Sequence, residues 1–404
     1  MSIRGGGGEN ILFMMDGVTL RDPRNNEPIT SVPLSAVKEV SVERGGFNAE
    51  YGQVRSGIVN VVTREGDKSH YYGSFQVRMS PPTKKYTLVD GAYDITDPRS
   101  YALRSFYDDE VCWTGTGSWD QYTRKQYPEF MGWNQISKIL CTDDNPTNDL
   151  TPAGAQRVFM YETRKKMVND QPDYNIDAGF GGPVPYVGKV LGDLRFFASY
   201  ISTHDVLMIP LSRSAYDDFN LNAQVISDIA PSMKLRISGL YGKQYTIRHN
   251  WDGEGSYSYL HYPNEIAGDA SSITATSDLI YLYSDFNFCL SDVGVQSLSA
   301  KLTHTLSSKT FYEVSVETIG RDYFTRPVAT RDTSQKYEVI PGFYEDSNPY
   351  GYWPGTVNGV AITSAMHASR PRDNTKVSST TLKADFTSQF NFQNLVKAGI
   401  KTDL

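Results

Sequence analysis

No stretch of this chain approaches the roughly 18 apolar residues that a spanning helix requires, and the mean hydropathy is −0.43. Membrane insertion as helices is excluded. A β-barrel is not, because its strands are apolar on one side only. Cations are also in deficit: 39 Lys and Arg stand against 46 Asp and Glu in 404 residues, a formal net charge of −7. Phosphate backbones need clustered Lys and Arg, so no nucleic-acid partner is expected. The six histidines, His70, His204, His249, His261, His304 and His367, are scattered without metal spacing,. The carboxylate pairs Asp108–Asp109 and Asp143–Asp144 read as solvated loop charges, and the acidic run 143–149 lacks the position pattern of a calcium loop,. No catalytic residue, metal or cofactor is therefore assigned, which weighs against a secreted enzyme on a β scaffold. The N-terminus "MSIRGGGGEN" has no apolar signal region. That points either to a cytoplasmic chain or to one beginning inside a longer protein.

Three cysteines are present, Cys112, Cys141 and Cys289. The first two share a long irregular stretch, where a disulfide would be useful in an oxidising compartment. If that loop is ordered, Cys112 and Cys141 are expected to lie within bonding distance.

What the sequence has in quantity is alternation. From residue 70 onward, segments of strict period two recur, the signature of strands with one apolar and one polar face. In "YYGSFQVRM" the apolar set is Tyr71, Gly73, Phe75, Val77 and Met79. In "KLRISGLYGKQYTI" the outward set is Leu235, Ile237, Tyr241, Tyr245 and Ile247, opposed by Lys234, Arg236, Ser238, Gln244 and Thr246. "SLSAKLTHTL", "FYEVSVET" and "TLKADFTSQF" behave alike. Nine strands are expected, at about 70–80, 173–182, 193–205, 218–227, 234–249, 295–306, 311–326, 379–390 and 395–403. Their connections differ in size, and the longest follow the first, fifth and seventh strands. Long loops confined to one end are the pattern of an outer-membrane barrel. A soluble sandwich also alternates, so alternation alone does not decide. The 27 Tyr, 18 Phe and 33 Gly suit a barrel with aromatic girdles and tight turns, a composition that secreted β proteins share,.

The first 66 residues are different. "ILFMMDGVTL" is a short apolar strand ending in an Asp-Gly turn, and "VERGGFNAEYGQVRSGIVNVVTREG" is strand, glycine-rich turn and strand. So much glycine buries little by itself, and the unit must pack inside something else. Val42, Glu43, Arg44, Gly45, Tyr51, Gly52, Gly57, Val59, Asn60, Val61 and Thr63, in that order, resemble the second half of the plug domain of TonB-dependent outer-membrane receptors. Ile3, Arg4, Gly5, Asp16 and Gly17 look like the preceding plug element.

The resemblance implies an all-β fold, a partial transmembrane antiparallel β-barrel with an N-terminal plug fragment. Residues 1–66 would be the C-terminal half of the plug, and 67–404 the first part of the barrel. It implies a location in a Gram-negative-type outer membrane, with that lipid bilayer as a partner. It also implies energy-coupled import of a scarce nutrient such as a siderophore, cobalamin or an oligosaccharide. The further partner is a TonB-type periplasmic coupling protein, reached through a segment absent here, so the chain is expected to be an internal fragment. An adhesion or surface-assembly protein of the same build is the alternative. Glu43 and Arg44 are neighbours on a strand and point to opposite faces. One is expected to pair within the plug and the other with inward wall charges such as Glu313, Glu317, Lys383 and Asp385. Ligand contacts are expected in the outer loops, with Trp113, Trp119, Trp133, Trp251 and Trp353 as candidates that serve equally to pack the loops.

Overall fold

The computed structural model describes residues 3, 10–21, 32–45, 54–82, 104–117, 119–125, 129–144, 149–162, 171–207, 212–248, 289–326, 336–340, 343–346, 356–357, 360–361 and 373–404. Arg4, Gly5, Tyr51, Gly52, Trp251 and Trp353 lie outside these residues.

A small inner sheet comes first, built from β1 (Ile11–Met15), β2 (Val18–Thr19), β3 (Val37–Glu43) and β4 (Gly57–Thr63) in the order β2-β1-β4-β3. β1 and β2 form a hairpin around Asp16 and Gly17, whose φ values of 53° and 87° match the two-residue turn that an Asp-Gly pair favours,. β1 runs parallel to β4, with Ile11 opposite Gly57 and Met15 opposite Val61, while β3 is antiparallel to β4. Ile11, Leu12 and Met14 are buried, which is why this strand is apolar on both faces,.

The outer wall is one nine-stranded sheet. Its strands are β5 (Tyr72–Ser80), β6 (Asp173–Pro183), β7 (Arg195–Val206), β8 (Ala215–Ala230), β9 (Met233–Arg248), β10 (Cys289–Ser307) and β11 (Thr310–Arg326). After two short hairpins, β12 (Lys336–Ile340) with β13 (Phe343–Asp346) and β14 (Thr356–Val357) with β15 (Val360–Ala361), come β16 (Lys376–Asn391) and β17 (Asn394–Asp403). Every wall strand pairs antiparallel with its neighbour in sequence. The connections 231–232, 308–309 and 392–393 are tight, whereas the long ones, 81–172, 249–288 and 327–375, join strand ends at the opposite edge of the sheet. The expected nine strands are present in this sheet, and its longest connections follow the first, fifth and seventh of them, as expected.

Burial along the wall is the reverse of a soluble sheet. On the outer face Phe75 (74 %), Leu298 (63 %) and Tyr241 (51 %) are exposed, while Ser199, Asn220 and Gln224 on the inner face are buried. An apolar surround outside and a polar interior inside satisfy both faces at once.

The long connection after β5 is not irregular. Its described residues form four helices, α1 (Arg104–Tyr107), α2 (Gln121–Arg124), α3 (Trp133–Leu140) and α4 (Pro152–Glu162). Pro152 opens α4 behind Thr151, whose hydroxyl accepts the Gly154 N–H at 3.1 Å,. Phe106, Phe130, Trp133 and Phe159 are buried together, and the Trp133 indole N–H donates to the Phe106 carbonyl at 2.9 Å.

Candidate functional site: the contact between inner sheet and wall

The inner sheet lies against the polar face of the wall, through one apolar patch and one set of charges. Leu20, just after β2, is fully buried with Leu240 of β9 and Val295 of β10, and Phe13, Met15, Val18 and Ile319 pack around them. Nearby, the Asp177 carboxylate of β6 accepts the Leu34 N–H at 2.7 Å and the Ser35 N–H at 3.2 Å.

The charged contact is centred on Arg236 of β9. Its guanidinium reaches Asp16 at 3.2 Å and also pairs with Glu65, the second residue after β4. Lys234 and Arg195 approach the same Glu65 carboxylate at 3.4 and 3.7 Å. Burial by itself raises the Glu65 carboxyl, but Arg236, Lys234 and Arg195 together outweigh it and hold the group below its ordinary range,. Asp16 has a second task, since its carboxylate accepts the Thr63 N–H at 2.9 Å and extends the β1–β4 ladder by one residue. Gln224 of β8 donates to the Thr63 hydroxyl at 2.9 Å and to the Arg64 carbonyl.

The segment 64–71, which joins inner sheet to wall, is fastened along its length. The Arg64 N–H donates to Ala36 at 2.7 Å, and Lys68 pairs with Asp228 at 2.6 Å and Asp193 at 3.4 Å. Gly66 lies so close to β7 that an added Cβ would overlap the Phe196 backbone. A cavity of about 910 Å³ opens beside this contact, at the end of the tight turns, and Asp16, Glu65, Lys68, Arg195, Arg236 and Lys301 are among its lining residues.

Several expectations are corrected here. Glu43 and Arg44 are exposed and form no ion pair among the described residues; the charges that bridge to the wall are Asp16 and Glu65. The inward charges named for them pair otherwise, Glu313 with Lys301 at 2.8 Å and Asp385 with Lys383 at 3.0 Å. Cys112 and Cys141 are free thiols. The Trp133 N–H bonds the Cys112 carbonyl and Cys141 follows Leu140, so α3 stands between the two, a helix of eight residues and hence about 12 Å long,. That exceeds the reach of a disulfide. Burial pushes the Cys112 thiol up to about 11, with Asp109 adding to the effect. Trp133 is a core residue of the helical unit and offers no surface to a ligand, whereas Trp113 and Trp119 are half-buried. Gly45 follows β3 in an exposed bend, Gly57 opens β4, and Asn60 sits between Met14 and Ser41 in the inner sheet. Among the described residues no three His, Cys, Asp or Glu side chains converge as a metal set would.

Residues 1–59 match the family model of the TonB-dependent receptor plug domain. The TonB-dependent transporter Oar of Myxococcus xanthus is 28% identical over 87 residues, 22% of this chain and 8% of that protein. Among solved structures, the siderophore receptor PirA from Pseudomonas aeruginosa aligns with 100% of this chain and 49% of its own, at 12% identity and a TM-score of 0.37. The ferric-catecholate import receptor Fiu from E. coli K12 aligns with 99% of this chain and 43% of its own, at 11% identity and a TM-score of 0.42. The chain thus spans about half the length, or less, of these solved receptors.

Proposed function

We propose, from the match of residues 1–59 to the plug-domain family model, that this chain is part of a TonB-dependent receptor and serves energy-coupled import of a scarce nutrient across an outer membrane. In this reading residues 1–66 are the plug segment and 67–404 the barrel wall. The outer face of the wall meets lipid, the inner sheet obstructs the lumen, and a TonB-type coupling protein supplies the pull that moves it. The observation that carries the reading is the ionic seat: Asp16 and Glu65 on the plug side held by Arg236, Lys234 and Arg195 on the wall side.

Such a seat suits a plug that must stay shut and still open. Ion pairs bordering a polar cavity of about 910 Å³ exchange for water at moderate cost, whereas a sealed apolar interface of the same extent does not,. The apolar patch around Leu20 is small by comparison. Gly45, just past β3, gives the plug a place to bend, and Glu43 and Arg44 belong to the same moving element. Of the tryptophans in the first long loop, Trp113 and Trp119, both half-buried, are the ones this reading assigns to ligand contact.

The test is uptake of ferric chelates, cobalamin and oligosaccharides by cells expressing the full-length protein, with and without the proton-motive force. Uptake that stops when the force is collapsed is expected. Uptake indifferent to the force, with surface attachment retained, would favour adhesion.

A further inference from the structure

The inward side chains of the wall fall into rows across the strands, because each antiparallel register places them at one height. One row holds Arg195 of β7, Arg236 of β9, Lys301 of β10, Lys383 of β16 and Lys401 of β17. Arg236 stands directly opposite Lys301, and Lys383 directly opposite Lys401. Like charges facing each other across two strands destabilise a sheet, so this belt has a cost that wall stability alone does not explain.

The belt is neutralised from two sources. Wall carboxylates take four of the five cations: Asp228 pairs with Arg195 at 3.2 Å, Glu313 with Lys301 at 2.8 Å, Asp385 with Lys383 at 3.0 Å and Asp403 with Lys401 at 3.2 Å. Arg236 is the exception. Its carboxylate partners, Asp16 and Glu65, come from the plug side, and Glu65 is also the partner of Lys234. The cavity beside the belt is lined by five cations and four carboxylates, and two of those four are Asp16 and Glu65. Its volume, about 910 Å³, is that of a small-molecule site,.

We propose that this belt is an anion site, masked by the plug and uncovered at Arg236 and Lys234 when the plug withdraws, so that a solute bearing carboxylate, phosphate or similar oxyanion groups replaces Asp16 and Glu65 on the way inward. The proposal rests on the reading that the plug moves, and it names the substrate class of that same path. Plug and solute then compete for one guanidinium. An anionic solute that reaches the cavity loosens the seat, and a neutral one does not. Arg236 suits this exchange because its planar fork binds a plug carboxylate and a free one in the same geometry.

The experiment measures citrate binding by calorimetry to the membrane-embedded protein, in the wild type and in Asp16→Asn/Glu65→Gln, at constant ionic strength. Both substitutions are isosteric, and amide exchange in β4 reports whether the plug sheet remains formed. About tenfold tighter citrate binding is expected in the double variant, the equivalent of one charge-assisted hydrogen bond no longer contested. Adding Arg236→Gln or Lys234→Gln to that background should remove the gain, and an uncharged oligosaccharide should bind all variants alike. Equal citrate affinity in wild type and double variant would overturn the proposal, as would a gain that survives Arg236→Gln. If the double variant does not fold, wild type against Lys234→Gln decides: weaker citrate binding in Lys234→Gln supports the site, and unchanged binding rejects it. Loss of the importer reading would appear instead as uptake independent of the proton-motive force, with these affinities unaffected.

Discussion

Replacing Arg236 by alanine removes the guanidinium that two carboxylates share, and its consequence is set by how well each is served afterwards. Glu65 keeps Lys234 at 3.4 Å and Arg195 at 3.7 Å. Asp16 has a side chain only 8% exposed and keeps the Thr63 N–H at 2.9 Å, but it loses its cation. Breaking a fully buried pair costs about 3–5 kcal/mol and an exposed one about 0–1. Asp16, which keeps both the Thr63 N–H and the Thr63 hydroxyl, falls between the two cases and Glu65 lies near the second, so the seat should weaken by about 2–3 kcal/mol, a factor of roughly 30–150 in the population of unseated plug,. Amide exchange of Val61 to Thr63 in the membrane-embedded protein reads that population, while exchange in β8 and β9 reports the wall. Protection should fall in β4 and persist in the wall. The pH dependence has a definite sign. Glu65 is held below its ordinary value of 4.5, so its stabilising effect is complete above that pH and is lost as pH falls through the lower folded value,. Wild-type β4 protection should therefore decline in acid, and decline less in Arg236→Ala. A change in β4 protection below about 0.5 kcal/mol in Arg236→Ala would refute the view that this arginine seats the plug.

Two further outcomes concern the helical unit of the first long loop. Cys141, exposed, should react with a maleimide in the folded protein, whereas Cys112, buried and with its thiol pushed up to about 11, should react only after unfolding,; mass spectrometry that finds the two joined would contradict this. Trp133→Ala should cost the unit about 3–5 kcal/mol and abolish its near-ultraviolet dichroism while the wall keeps its β signal, because Trp133 packs on Phe106, Phe130 and Phe159 within the helical unit,.

The wall was legible in the sequence because period two survives any local irregularity. Alternation through Leu235, Ile237 and Tyr241 against Lys234, Arg236 and Ser238 assigned the faces of β9 correctly, and the strand ends moved outward where alternation weakened, as at Cys289–Gly294 of β10. The Asp16-Gly17 turn was legible for a different reason, since few residue pairs accept two positive φ values,. The helices were readable and were missed. Trp133, Ile136, Ser137 and Leu140, all buried, repeat at helical spacing, and Thr151-Pro152 is an N-terminal signal,. The seat was only half readable. Arg236 was placed on the inner face, but nothing local distinguishes Glu65 from Glu43; only the docking of the 64–71 segment on β7 and β9 brings Glu65 to its cations. The belt Arg195, Arg236, Lys301, Lys383 and Lys401 depends on the registers of six strand pairs, which spacing within one strand does not contain.

The most direct test of the central claim, that the plug must leave this wall for solute to pass, is a reversible tether. A Cβ on Gly179 of β6 would lie 3.1 Å from the Ser35 Cβ, near the separation of a disulfide,. In Ser35→Cys/Gly179→Cys, uptake driven by the proton-motive force should be abolished when the pair is oxidised and restored by reductant, with surface binding of the solute unchanged in both states. Full uptake with the tether closed would contradict the account.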